Sequence, residues 1–329
     1  MDNARHDKLI SDVMRTAGRE KWRTLAEKGA ATLLLLEGGA GDSGQPAAVN
    51  EEDAALAAMA AEIYHGLTPA DCDAWPGGVA LSLQILADRC FYPSAGMPAG
   101  AGYEGRGPFR ALAEGRYVRV VNFHATPGRI SGSLEDQLSR LARTFVPVSH
   151  DDLTGFIDTG EWPHERPGVI LSFFDGFRDN FEVAAPMLDR LGLVGWFFLV
   201  SGWISSHPDD QRAFAEQHLI DLPYAGGELP PDGRLALSPG EVASLADRGH
   251  VIASHTRTHS AVSRGLTPDE IEHELAGSRR DLEAIAGTPV RALARYGGVS
   301  LHESPPADAA LRDAGYELLF ANHAVQRVR

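Results

Sequence analysis

The chain is poor in cysteine, short of basic residues and without a long apolar segment. Only two of its 329 residues are cysteines, Cys72 and Cys90, which excludes a disulfide-rich scaffold. Lys and Arg number 30 against 45 Asp and Glu, and the resulting net charge of −15 argues against nucleic acids and anionic membranes as partners. Residues 1–22 lack the apolar core of a signal peptide, and the apolar run at 30–36 is too short to span a bilayer. We therefore expect a cytoplasmic protein that binds neither nucleic acid nor membrane.

Residues 1–112 differ in composition from the remainder of the chain. Residues 5–38 have a helix-like apolar periodicity, and the Ala-rich stretch 51–65 begins with acidic residues, as helices often do. The segment YPSAGMPAGAGYEGRGP reads as a loop or linker. These patterns predict a mainly α-helical N-terminal region of unknown role. It carries no chemical motif and would serve packing or homo-oligomerisation, or alternatively a substrate lid or second site.

From residue 113 to residue 329 short apolar runs alternate with amphipathic helical stretches. VILSFF and VGWFFLV are apolar throughout, as strands buried on both faces are. Residues 267–287 predict a helix that Thr267 caps and Gly287 ends. This alternation predicts an α/β domain with a parallel sheet and outer helices. In such folds the chemistry lies at the C-terminal ends of the strands.

Three potential metal ligands follow predicted strands. His255 and His259 stand four residues apart after VIASH, a spacing that lets two imidazoles grip one ion, and Asp175 ends the strand VILSFF. A carboxylate leaving a buried strand needs a partner, because burial of an isolated charge is costly. Together they would leave positions open for substrate on a cation that polarises a carbonyl and activates water.

The motifs SFFDG, HTRTH and ARYGG, in this order, resemble the first three motifs of the polysaccharide deacetylases, the NodB-like family 4 of carbohydrate esterases. The resemblance covers residues 117–323. It implies a distorted (β/α) barrel of about seven strands and hydrolysis of an N-acetyl amide on a sugar. Residue by residue, it implies Asp175, His255 and His259 as ligands of a divalent metal, zinc first, with iron, cobalt, nickel or manganese as alternatives. It also implies that the backbone N–H of Tyr296 stabilises an oxyanion.

The chain departs from the family pattern at two positions of the first and third motifs, and the histidine acid that the family's last motif supplies has no evident counterpart. Phe174 stands where the family has the aspartate that acts as general base, and phenylalanine cannot accept a proton. Arg295 stands where a proline is common, so we expect an added cation near the substrate. Candidate replacement bases are Asp179 and His124. Asp179 lies one turn after Asp175, and His124 ends a strand that we expect to reach the same end of the barrel as Asp175.

The leading functional hypothesis is a metal-dependent, N-deacetylase-like hydrolase of an amide-type bond in a small soluble molecule, such as an N-acylated amino sugar or a natural product. The metal could also act without a protein base on a formyl group, an ester or a strained cyclic amide. Two histidines and one carboxylate are equally the ligand set of non-haem iron sites. A lyase, cyclase or oxygenase is therefore an alternative, with Phe174 as the wall of an apolar pocket. A catalytically silent binding protein is the third hypothesis.

Overall fold

The computed structural model describes residues 90–91, 118–223, 232–263, 265–301, 303–321 and 325–329. These residues belong to two units: Met1–Arg119 with Thr159–Pro167, and Val120–Asp158 with Gly168–Arg329. The predicted helical region over residues 1–112 lies outside the described residues, apart from Cys90–Phe91, which form a strand. The domain division at residues 112 and 113 therefore stays a prediction.

In the first unit, β1 (Cys90–Phe91) pairs antiparallel with Arg119 and Val118. The indole N–H of Trp162 donates a hydrogen bond of 2.8 Å to the carbonyl of Arg166 and closes a short loop.

The second unit is built on one sheet. Its strands are β2 (Val118–Phe123, which begins in the first unit), β3 (Val146–Pro147), β4 (Gly168–Asp175), β5 (Gly195–Leu199), β6 (Val251–Ser254), β7 (Ala292–Ala294), β8 (Leu318–Phe320) and β9 (Val325–Arg327). Seven of them follow in the order β2-β4-β5-β6-β7-β8-β9, and β3 pairs with β4 off this path. Strands β4 to β8 are parallel, whereas β9 runs antiparallel to β8. The α/β class agrees with the sequence prediction, and so does the path of seven strands from β2 to β9, which curls into a half-barrel rather than a closed barrel.

Helices connect the strands, and the helical run over residues 268–286 agrees with the helix predicted at 267–287. The helices are α1 (Ser131–Thr144), α2 (His150–Thr159), α3 (Ala185–Leu191), α4 (Ser201–Ile204), α5 (Gln211–Gln217), α6 (Pro239–Asp247), α7 (Pro268–Glu272), α8 (Ser278–Ala286) and α9 (Pro305–Asp313), with π-helical turns at Asn180–Ala184 and His273–Gly277. Ser238 and Thr267 form capping boxes with Glu241 and Glu270. Within the described ranges, none of these helices combines the length and apolarity needed to cross a membrane.

The core lies between the central strands and the helices that cover them. The rings of Phe173 on β4 and Phe197 on β5 stack with 5.0 Å between centroids, and both side chains are fully buried. Strand register aligns Asp175 with Leu199, and Leu199 with Ser254. Because Asp175 ends β4 and His255 follows Ser254, the sheet brings both residues to one edge.

Candidate metal centre

Asp175 leaves β4 through a sharp turn. Its φ is +73° and that of Gly176 is +99°, and a Cβ on Gly176 would lie 2.8 Å from Cδ1 of Ile204. Only glycine fits there without displacing Ile204. The carbonyl of Asp175 still accepts a bond of 3.1 Å from the N–H of Val200. The turn therefore re-aims the carboxylate at the strand end while its backbone stays tied to the next strand.

Each histidine is oriented through its Nδ1 atom. The Nδ1–H of His255 donates to the carbonyl of Ala294 at 2.8 Å, and the Nδ1–H of His259 donates to the carbonyl of His218 at 2.8 Å. Since a carbonyl only accepts, both rings carry their proton on Nδ1 and present an unprotonated Nε2. Backbone acceptors of this kind fix the orientation and tautomer of metal-binding imidazoles.

The three predicted ligands converge. Oδ1 of Asp175 lies 3.7 Å from Nε2 of His255 and 3.4 Å from Nε2 of His259, and the ligand atoms of this buried cluster all lie within 4.8 Å of one another. Among the residues that the structure describes, Oδ1 finds no hydrogen-bond donor. An acceptor oxygen and two acceptor nitrogens that face one another without a proton suit a cation about 2.0–2.2 Å from each. The donor set therefore fits a divalent metal ion.

Burial favours the neutral forms of all three groups. It raises the pKa of the Asp175 carboxyl to about 7. It also lowers the pKa of His255 to about 3, with help from the neighbouring His259 and against the bond to Ala294. Desolvation lowers the pKa of His259 as well, against the bond to the carbonyl of His218. A bound divalent cation would stabilise the ionised carboxylate of Asp175, which burial alone disfavours.

Backbone strain is concentrated in the segments that build this centre. Non-glycine residues with positive φ in the described part of the chain are Asp175, Leu219, Thr256, His259 and Val262. Two of them are proposed ligands, Thr256 lies between the two histidines, Val262 follows them, and Leu219 follows the carbonyl that orients His259. Such conformations persist where the surroundings over-determine them, which is typical of functional sites.

A carboxylate on the helical side holds the turn between the two histidines. Glu274, which is 7% exposed, accepts bonds at Oε2 from the N–H groups of Arg257 (3.0 Å) and Thr258 (2.9 Å). Its Oε1 accepts from the hydroxyl of Thr258 at 2.6 Å. The hydroxyl of Thr256 accepts from the N–H of Ser260 at 2.7 Å. No sequence motif marked Glu274, because it lies fifteen residues after His259 inside an ordinary helical pattern.

Aromatic side chains flank the centre. The ring of Phe174 stacks on His124 at 5.6 Å and meets the edge of His255 at 5.1 Å between centroids. The ring of Tyr296 lies 4.3 Å from that of His259. The backbone N–H of Tyr296 donates to the carbonyl of Ser260 at 3.2 Å. An oxyanion-stabilising role for this N–H would require that bond to be exchanged.

The two candidate bases lie on neighbouring segments. Oδ1 of Asp179 accepts from the N–H of Thr126 at 2.7 Å, and the side-chain amide of Asn180 donates to the carbonyl of His124 at 2.7 Å. Asp179 is buried, so its carboxylate anchors the segment that carries His124. Desolvation lowers the pKa of His124, against the charge of Asp221. When protonated, His124 lowers the pKa values of His255 and His259, so it lies within electrostatic range of both imidazoles.

Arg295 does not face the substrate side as a free cation. Its side chain is 0% exposed, and Nη2 donates to Oδ1 of Asp308 at 2.7 Å. Nη1 donates to the carbonyl of Ser300 at 3.4 Å. The expectation of an added cation near the substrate is therefore corrected: because burial of an unpaired guanidinium is costly, this arginine is paired inside the fold.

A family of known proteins matches the part of the chain that contains the three candidate metal ligands. The polysaccharide deacetylase family model matches residues 162–319, which include Asp175, His255 and His259. No curated protein sequence matches the chain.

Several solved structures resemble part of the chain. The deacetylase PplD of Streptococcus pyogenes, in complex with acetate, is 16% identical; the match covers 64% of this chain and 86% of that one, with a TM-score of 0.49. IcaB from Ammonifex degensii is 20% identical over 64% of this chain and 86% of its own, with a TM-score of 0.48. A de-N-acetylase from Aggregatibacter actinomycetemcomitans is 17% identical over 64% and 90%, with a TM-score of 0.47.

Proposed function

We propose that this chain, whose residues 162–319 match the polysaccharide deacetylase family model, hydrolyses an amide-type bond in a small soluble N-acylated molecule. The observation that carries the proposal is the buried cluster in which Oδ1 of Asp175 faces Nε2 of His255 and of His259 at 3.7 and 3.4 Å. Three ligands on one side of an ion leave positions for substrate, as hydrolytic metal sites require.

Zinc is the proposed metal, because two imidazoles and one carboxylate are donors that zinc binds readily. When bound, the ion would polarise the substrate carbonyl and activate water. The chain's own contribution is to orient the donors: the carbonyls of Ala294 and His218 fix the imidazoles, and the turn at Asp175 aims the carboxylate.

We propose His124 as the general base, because Phe174 stands where the family resemblance implies a carboxylate. Its ring stacks on Phe174, which in turn touches His255, so the imidazole lies one ring away from the ligands. Its side chain is exposed, but partial desolvation lowers its pKa, which favours the neutral form that accepts a proton. Asp179 is then a positioning residue, because its Oδ1 holds the backbone of Thr126.

The donor set itself supports a second candidate, a non-hydrolytic iron enzyme, since two histidines and one carboxylate also form non-haem iron sites. A single reconstitution series separates the candidates. Metal-free protein is loaded in turn with zinc, cobalt, nickel, manganese and iron(II). Amine release from N-acetylated and N-formylated amino sugars and aryl amines is then measured, with oxygen uptake followed in parallel.

We expect amine release to depend on the metal and to be lost in His255→Ala. Glu135→Ala, on the exposed face of the unit, is the matched control and should retain amine release. Oxygen uptake with iron(II) and no amine release would favour the iron enzyme. Tight binding of the acylated compounds without turnover for any metal would favour the silent binding protein. Full metal content in His255→Ala would contradict the proposed site.

A further inference from the structure

A row of ring contacts runs through the metal centre. His124 stacks on Phe174 at 5.6 Å, and Phe174 meets His255 at 5.1 Å. His255 and His259 lie 4.8 Å apart, and His259 and Tyr296 lie 4.3 Å apart. The two ligand imidazoles therefore occupy the middle of the row, with an aromatic side chain against each of them on its outer side.

Both flanking rings reach the surface of the unit. Tyr296 is 37% exposed and Phe174 is partly exposed, whereas Phe173, the neighbour of Phe174 on β4, is fully buried. Tyr296 and Leu219 are the two large hydrophobic residues that the described part of the chain leaves exposed, Leu219 at 67%. Leu219 follows His218, the residue whose carbonyl orients His259.

The exposed apolar surface is thus gathered on segments that hold the ligands. Isolated exposed hydrophobic residues are ordinary in soluble proteins. Here the ring of Tyr296 lies against His259 and that of Phe174 lies against His255, and apolar rings gathered at one centre are typical of a binding site. The one buried guanidinium beside Tyr296, that of Arg295, is already paired with Asp308.

We propose that the metal centre is flanked by an apolar subsite that accepts a flat aromatic group next to the scissile amide, with Phe174 and Tyr296 as its specificity-determining side chains. This inference rests on the proposed function. A polyhydroxylated sugar needs several hydrogen-bonding partners, and the ring of Phe174 offers none. An aromatic acyl or amine group instead gains from offset or edge contact with rings at about 4.5–7 Å.

A matched pair of chelators tests the subsite apart from turnover. Acetohydroxamate and benzohydroxamate carry the same metal-binding group and differ in the methyl and phenyl substituents. Their dissociation constants are measured calorimetrically on the full zinc-loaded chain and on Phe174→Leu and Tyr296→Leu. The leucine variants keep apolar volume and remove the planar ring. Phe181→Leu is the control, because its partly exposed ring contacts Arg248 rather than the histidines.

We expect benzohydroxamate to bind at least about 10-fold more tightly than acetohydroxamate, and each site variant to reduce this ratio by about 2- to 12-fold, the range for one aromatic contact. Phe181→Leu should leave the ratio unchanged. Equal affinity for the two chelators, or an equal loss in the control, would overturn the subsite and leave the hydrolase proposal standing. Failure of the wild-type chain to bind zinc or any of the other divalent ions of the reconstitution series would overturn both.

Discussion

Glu274 and Thr258 are joined by two hydrogen bonds, one from the backbone N–H at 2.9 Å and one from the hydroxyl at 2.6 Å. Thr258 immediately precedes His259, and Glu274 lies in the π-helical turn that joins α7 to α8. The same carboxylate also takes the N–H of Arg257. One side chain therefore fixes the short segment that sets the separation of the two imidazoles, although it touches neither of them.

Substitution Glu274→Gln should weaken metal binding. Glutamine presents one acceptor oxygen instead of two, so at least one of the three donors on the turn loses its partner. Outer groups that position metal ligands typically contribute about 10- to 100-fold in metal affinity, and we expect a loss of this size. The measurement is competition of the protein with a chelator for zinc, and the absorption spectrum of the cobalt form reports the ligand geometry.

Glu272→Gln is the matched control, because Glu272 lies in the same helical run but is exposed and pairs with Arg280 at the surface. It should leave zinc affinity unchanged. Unaltered zinc affinity and cobalt spectrum in Glu274→Gln would show that Glu274 serves the fold and not the ligand geometry.

The parts of the site that depend on side-chain identity were predictable from the sequence. Asp175, His255 and His259 follow strands whose apolar character is plain, and parallel strands bring their C-terminal ends to one edge. The same reasoning predicted the helix cap at Thr267, although not the reciprocal bond from Glu270 that completes a capping box. Periodicity and strand order were sufficient for these features.

The other features of the site could not be predicted, because they depend on backbone atoms, which are the same in every residue, or on tertiary packing. The carbonyls of His218 and Ala294 orient the imidazoles, and every residue has a carbonyl. Arg295 pairs with Asp308, which lies thirteen residues later in another element. The sequence around Arg295 therefore did not reveal that its side chain is buried. Closure of a barrel likewise depends on whether the end strands meet, which local patterns do not encode.

Zinc affinity should rise with pH up to about pH 7. In the metal-free chain burial raises the pKa of Asp175 to about 7, so below that pH the carboxyl carries a proton that the ion must displace. His255, with a pKa lowered to about 3, is already neutral and releases none. Calorimetry in buffers of different ionisation enthalpy should detect about one proton released at pH 6 and fewer at pH 8. Equal proton release at the two pH values would contradict the raised carboxyl pKa.

Breaking the ion pair of Arg295 and Asp308 should destabilise the fold. Asp308→Ala leaves a guanidinium with 0% side-chain exposure beside no carboxylate, and loss of one partner of a buried pair costs about 3–5 kcal/mol. Urea denaturation of the metal-free chain measures the free energy of unfolding. Glu135→Ala removes an exposed partner of Arg190, and it should cost less than about 1 kcal/mol. Similar losses of unfolding free energy in the two variants would contradict the stabilising role of the buried pair of Arg295 and Asp308.

The roles of His124 and Asp179 can be separated by conservative substitution. If His124 is the base, His124→Gln should lower kcat/KM by about 10²- to 10⁴-fold without changing zinc content. The rate of the wild-type enzyme should then decline on the acid side only below pH 6.5, because partial desolvation lowers the pKa of His124 and a protonated imidazole cannot act as a base.

Asp179→Asn keeps an oxygen that accepts the N–H of Thr126, whereas Asp179→Ala does not. A positioning role therefore predicts nearly wild-type turnover for the asparagine variant and a marked loss for the alanine variant. A base role predicts an equal loss in both, since neither asparagine nor alanine accepts a proton near neutral pH. Equal losses in these two variants, combined with a mild effect of His124→Gln, would transfer the base function from the imidazole to the carboxylate.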